Sequence, residues 1–110
     1  MHDIRLIREN PQSFDDGLAR RGVAPQAAEL LSLDEQVRAA IKTAEDIQAK
    51  ANAAAKAVGA AMGRGDRDEA ERLKAEVAGL KTDLPQRDAE VRDLSAALRA
   101  TLSALPNLPA

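Results

Sequence analysis

Apolar residues recur every seven positions in two long runs of this chain, and a glycine-rich break separates the runs. In the first run Leu30, Val37, Ala44, Ala51 and Val58 share one heptad position, and Leu33, Ala40, Ile47, Ala54 and Ala61 share the other. In the second run Ala70, Val77, Leu84, Val91, Leu98 and Leu105 form one row. Leu73, Leu80 and Leu94 form most of the partner row, with Arg87 and Thr101 as exceptions. A sustained heptad marks helices packed along a seam. The short break leaves no chain for a long return, so the two helices must run antiparallel. The expected fold is all-α: a long antiparallel two-helix coiled-coil hairpin with short N-terminal helices packed at its base. A thin hairpin has no pocket, so function is expected on its surface or at its tip.

Composition agrees with an arm more than with a compact bundle. Aromatic residues make up 1% of the 110, the sole one being Phe14, and much of the apolar content is alanine. Alanine favours helix and fills little volume, which suits one seam and not a thick core. The net charge of -2 excludes a uniformly basic nucleic-acid binder. Its distribution is more informative. From Ile47 to Gly65 there is no acidic residue, while Lys50, Lys56 and Arg64 are present. Further on, Asp83, Asp88, Glu90 and Asp93 outweigh the bases around them. The tip half is expected to be mildly basic and the base half not.

The absence of cysteine excludes a disulfide, a thiolate metal site and a cysteine nucleophile. It is compatible with the cytosol, and a cytoplasmic location is expected. No apolar stretch is long enough to span a bilayer, so no membrane partner is expected. Met1 to Asn10 has no signal-peptide apolar region.

Along the chain, residues 1–24 read as short N-terminal helices. Ile4 and Ile7 share a side of the first. Asn10 can cap the second, with Pro11 at its first position and Gly22 at its stop. The first long helix is expected over 25–62, roughly 55 Å, the tip turn over 63–65, and the return helix over 66–104. Pro106 and Pro109 end it, and 105–110 read as a hinge. Ser32-Leu33-Asp34-Glu35 resembles a capping box but lies mid-helix, because the heptad runs through it without a phase change. Asp34–Arg38, Asp46–Lys50, Asp68–Arg72 and Asp88–Arg92 are acid-before-base pairs expected on exposed helix. Pro85 falls inside the return helix, where it removes a hydrogen bond and costs about 3 kcal/mol. The heptad continues past it, which predicts one kinked helix and not two. With the turn centred near Arg64, Ala54 is expected opposite Leu73, Ala51 opposite Val77 and Ala40 opposite Arg87.

Catalysis is not expected of these residues. The only histidine is His2, and the carboxylates read as solvated helix faces. Gly59 to Asp66 is glycine-rich but lacks the spacing and the Lys-Ser/Thr of a phosphate-cradling loop. Arg64-Gly65-Asp66 spells an adhesion tripeptide, and a hairpin turn explains it without an extracellular role. The basic tip is the surface feature that suggests a partner. Lys50, Asn52, Lys56, Arg64, Arg67, Arg72 and Lys74 are placed to meet phosphates, which gives affinity without reading bases. The other reading of the same residues is a solubilised coil surface.

The order of motifs resembles the N-terminal arm of bacterial-type seryl-tRNA synthetases, over the whole chain. Asp3-Ile4-Arg5-Leu6-Ile7-Arg8-Glu9-Asn10-Pro11 is similar to that family's opening. Phe14, Leu18 and Arg20-Arg21-Gly22 follow at family-like positions, and Leu30-Leu31-Ser32-Leu33-Asp34-Glu35 resembles its L-L-x-L-D-x stretch. Asn52, Lys56, Val58 and Gly59 match its tip-proximal motif in part. Ala51 stands where that motif has arginine, and Ala54-Ala55 where it has Leu-Ser. Leu105-Pro106-Asn107-Leu108-Pro109 resembles the hinge that leads into the catalytic domain.

The resemblance implies an arm that grips the long variable arm of serine tRNA and orients it for aminoacylation. It implies a homodimeric parent enzyme, an ATP-dependent serine–tRNA ligase whose catalytic domain binds ATP and magnesium. That domain is a partner absent from this chain, so the fragment itself is expected to be non-catalytic, with no cofactor or metal. Asn52 and Lys56 enter the tRNA-binding set through the motif; Lys50, Arg64 and Arg67 enter through charge and position. The alternative is a structural helical hairpin that binds protein, with no nucleic-acid role.

Overall fold

A computed structural model describes residues 3–105. Of these, 88% are helical and none is in a strand, so the fold is all-α. Helix α1 spans Ile4–Glu9, α2 Pro11–Arg20, α3 Ala27–Gly63 and α4 Arg67–Ala104. The chain divides into two compact units, one of residues 1–39 and 92–110, the other of residues 40–91. Both long helices run through both units. His2 and Pro106 to Pro109, hence most of the expected hinge, lie outside the described residues.

In the base unit the helix starts are capped by named groups. Asp3 accepts the Arg5 N–H at 2.9 Å to start α1. Asn10 accepts the Ser13 N–H at 3.1 Å to start α2, with Pro11 in the first turn. At the end of α2 the Val23 N–H reaches the Leu18 carbonyl and the Gly22 N–H reaches that of Ala19. Gly22 takes φ +74°, the left-handed position this closure requires. Helix α3 begins at Ala27, two residues beyond the expected Pro25. Its starting cap comes from α2: Asp15 Oδ1 accepts the N–H groups of Gln26 at 2.8 Å and Ala27 at 2.9 Å.

These caps bring Ile7, Phe14, Leu18, Ala27, Leu30 and Leu102 into one buried cluster, with Ile4, Val23, Leu31, Leu98 and Leu105 against it. Helices α3 and α4 thus pack together here, and α1 and α2 close over them. Leu102 belongs to neither heptad row, yet it is buried. The short helices cover a wider face of α4 than a two-helix seam would.

Asp34 corrects the expectation of an exposed acid–base pair. It lies mid-helix as expected, but it is 3% exposed. Arg8 from α1 covers it, with Nε 2.8 Å from Oδ2 and Nη2 donating to Oδ1 at 3.2 Å. Arg38 Nη2 stands 3.2 Å from Oδ2. Oδ2 therefore sits at ion-pair distance from two guanidinium groups, although neither N–H is aligned to it as a hydrogen bond.

In the tip unit the seam rows are buried or half-buried throughout. Its polar exception, Arg87, has a half-buried side chain whose guanidinium reaches Asp83 at 3.4 Å and Glu90 at 3.6 Å. Leu73 packs in a cluster with Ala61 and Ala70, with Ala57 and Val58 against it. Leu73 thus packs against α3 residues nearer the turn than Ala54, the expected partner. The turn explains the offset. Helix α3 continues through Gly63, and the connection is Arg64 to Asp66, centred on Gly65 and not on Arg64.

Asp66 serves both sides of that turn. Its N–H bonds the Ala61 carbonyl at 2.9 Å and its Oδ1 accepts the Glu69 N–H at 3.2 Å. Gly65 supplies φ +75° between them. The adhesion-like tripeptide is a helix stop, a left-handed residue and a helix start. Helix α4 then runs unbroken past the exposed Pro85.

Candidate nucleic-acid interface

Lys50, Asn52, Lys56, Arg64 and Arg67 are all exposed and all lie in the tip unit. Their helices fix where each one points. Lys50 precedes the seam residue Ala51, Lys56 lies on the outer face of α3, and Arg64 and Arg67 bracket the turn. Asn52 Oδ1 accepts from Gln48 at 3.0 Å. By heptad position the five fall on more than one face of the helices.

Ion pairing separates the bases further. Arg72 is held by Glu69 and Glu76, and Lys74 meets Glu71 at 3.4 Å. Lys42 takes Asp46, at 3.8 Å, and Arg92 takes Asp93, at 3.7 Å. Of the four acid-before-base pairs expected, the structure forms Asp34–Arg38. In the others Asp46 is taken by Lys42 in the reverse order, Arg72 by Glu69 and Glu76, and Arg92 by Asp93. Among the described residues of the tip unit, Lys50, Lys56, Arg64, Arg67 and Lys81 have no carboxylate at ion-pair distance.

The tip unit as a whole is not basic. Residues 40–91 hold nine bases against ten acids. The positive excess is confined to the end of α3 and the turn, because α4 brings its own acids back alongside. Those acids are ordered by their partners. The side-chain hydrogen bonds of Arg72 hold the Glu69 carboxyl below its ordinary value, and Arg64 adds a smaller attraction. Glu69 raises the Arg72 guanidinium in return.

A hairpin without a pocket was the expectation, but the tip carries an open depression. Met62, Gly65, Arg67, Ala70, Glu71 and Lys74 line it. Met62 is 60% exposed, unusual for a large apolar side chain among charges. Sequence reasoning passed over it as the last apolar residue of a helix. Its signal was position, one residue beyond the seam residue Ala61. Among the described residues no group of three or more His, Cys, Asp or Glu is placed to hold a metal. No described helix is long and apolar enough to cross a membrane.

The sequence profile of the seryl-tRNA synthetase N-terminal domain matches residues 1–109. A serine–tRNA ligase of Novosphingobium aromaticivorans is 56% identical over 110 residues, all of this chain and 26% of that protein. One of Sphingopyxis alaskensis is also 56% identical over the same span and share. One of Erythrobacter litoralis is 53% identical over 109 residues, 99% of this chain and 26% of its own length. The chain therefore spans about a quarter of the length of these relatives and corresponds to their N-terminal part. A profile match over nearly the whole length, together with identities above one half, places the chain in the seryl-tRNA synthetase N-terminal domain family.

Proposed function

We propose that this chain is the tRNA-binding arm of a serine–tRNA ligase. In this reading the arm holds serine tRNA by its phosphates and orients the long variable arm for aminoacylation. The observation that supports it most is the set of exposed tip cations without carboxylate partners: Lys50, Lys56, Arg64 and Arg67. A lysine or arginine already paired with a carboxylate must give up that partner to meet a phosphate. An unpaired one releases only the counterions of the nucleic acid. Asn52 adds a neutral donor for a phosphate or ribose oxygen.

The rest of the reading concerns the parent protein: ATP and magnesium in its catalytic domain, a homodimer, and a cytoplasmic location. The chemistry of amino-acid activation belongs to that domain. This chain supplies binding and orientation.

The test is tRNA binding by the full-length ligase, with serine tRNA compared against the same tRNA shortened in its variable arm. The proposal expects the shortened tRNA to bind at least ~10-fold more weakly. Equal affinity for the two would remove the variable arm from the mechanism. Absence of any binding contribution from the arm would leave the protein-binding hairpin as the reading.

A further inference from the structure

The tip unit sorts its charges by side. On α4, Arg67, Lys74 and Lys81 recur at intervals of seven, and so do Glu69, Glu76, Asp83 and Glu90. At 3.6 residues per turn, positions two apart lie about 200° apart around a helix. Arg67 and Glu69, Lys74 and Glu76, and Lys81 and Asp83 are such pairs. The seam residues Ala70, Leu73, Val77, Leu80 and Leu84 lie between the two rows. From Arg67 to Lys81 one flank of the seam is therefore lined by bases, with Asp88 in the next place of that row, and the other flank by acids.

Two positions fix which part of α3 belongs to each flank. Met62 shares its depression with Arg67 and Lys74, and with one acid, Glu71, so it lies on the basic flank. The Arg64 N–H bonds the Ala60 carbonyl at 3.1 Å and continues the last helical turn, so Arg64 lies about 200° around from Met62, on the acidic flank. Lys50 falls two heptads before Arg64 and shares its row. Lys56 faces outward between the flanks.

The pairing pattern sharpens the contrast. Arg72 joins Glu69 to Glu76, and Arg87 joins Asp83 to Glu90. On its α4 side the acidic flank thus carries four carboxylates and two guanidiniums tied to them, and its unpaired cations are Lys50 and Arg64 from the other helix. On the basic flank Arg67 and Lys81 have no carboxylate at ion-pair distance among the described residues. Lys74 holds only the exposed Glu71, at 3.4 Å. The exposed Met62 adds an apolar surface, which a ribose or an unstacked base would cover.

We infer that the flank carrying Met62, Arg67, Lys74 and Lys81 is the one that faces the RNA, and that the Glu69–Glu90 flank faces away from it. The inference rests on the proposed tRNA-binding role and deepens it by giving the arm a sidedness. It also ranks the tip cations. Arg67 contributes most among those named from the sequence, and Lys50 and Arg64 least. A phosphate approaching Lys50 or Arg64 meets the acidic row first. At physiological salt the screening length is about 8 Å, so a row of acids this close is still felt.

The test uses the full-length ligase and serine tRNA. The slope law makes one phosphate contact worth roughly fivefold at 0.15 M salt. The combined Arg67→Ala, Lys74→Ala and Lys81→Ala variant should bind at least ~10-fold more weakly. Glu76→Gln with Glu90→Gln should change binding less than about twofold, because those groups face solvent. A photo-cross-linking residue at position 74 should capture tRNA, and the same residue at position 76 should not. Serine activation, which needs no tRNA, checks that each variant is folded.

If the basic-flank variant binds normally while Lys50→Ala with Arg64→Ala does not, the flank assignment is overturned and the tRNA-binding role stands. Cross-linking from position 76 alone would overturn it in the same way. If the unmodified ligase binds tRNA with no contribution from the arm, both fall together.

Discussion

Two glycines near the tip carry opposite predictions for one substitution. Gly65 takes φ +75°, and a Cβ built there meets nothing within 4 Å. Any cost of Gly65→Ala is therefore backbone cost. The left-handed position is worth about 1–2 kcal/mol against an L-residue. The lower entropy of the unfolded alanine chain offsets about 0.4–1 kcal/mol. The net expectation is a loss of about 1 kcal/mol. Gly59 lies inside α3, its φ is ordinary, and its Cβ site is also open. Gly59→Ala should add about 1 kcal/mol, the helix preference of alanine over glycine. Urea unfolding followed by far-ultraviolet circular dichroism measures both. At this chain size each should move the melting temperature by about 4–8 °C, in opposite directions. If both variants are stabilised, the turn does not depend on a left-handed residue at position 65, and the closure through Asp66 is wrong.

Asp34→Ala removes the carboxylate that joins Arg8 to Arg38. Both guanidiniums are partly exposed, at 38% and 58%, and can return to water, so the loss should be about 1–2 kcal/mol. A change below about 0.5 kcal/mol in urea unfolding would show that the buried pair does not hold α1 in place. Pro85→Ala restores an N–H opposite the Lys81 carbonyl on an exposed face of α4. It should raise the melting temperature, by at most what about 3 kcal/mol provides; a lower one would show that the fold needs the proline there. The Glu69 carboxyl is lowered by Arg72, so its small contribution is present above the unfolded carboxylate value. That contribution is lost as pH falls through the folded one. Glu69→Gln should flatten the acid limb of the stability curve, and an unchanged limb would refute the coupling.

The heptad rows were legible because a two-helix seam needs nothing beyond apolar periodicity, and nearly every row member is buried or half-buried. The Asn10 cap and the Gly22 stop were legible because their partners lie within three residues. The features not legible in the sequence depend on residues distant along the chain. The Asp15 cap on α3 spans 11 residues, and the Arg8–Asp34 pair spans 26. Leu102 is buried only because α1 and α2 widen the contact. The register slipped because one residue's uncertainty in the turn moves every facing pair. For the site, charge along the chain pointed to the tip but missed its sidedness. The seven-residue spacing of Arg67, Lys74 and Lys81 is present in the sequence, but its side becomes defined only once the seam is placed between the two rows.

The central claim is that tip cations meet tRNA phosphates, and the salt dependence of binding tests it most directly. The full-length ligase is compared with a variant in which Lys50, Lys56, Arg64, Arg67 and Lys81 are alanine. The logarithm of the serine tRNA affinity is followed against the logarithm of salt concentration. Each lost phosphate contact should make the slope shallower by roughly 0.9. The account predicts a change of at least two contacts, about 1.8, with serine activation unaltered. Parallel lines for the two proteins would contradict it and leave the tip cations as a solvated surface.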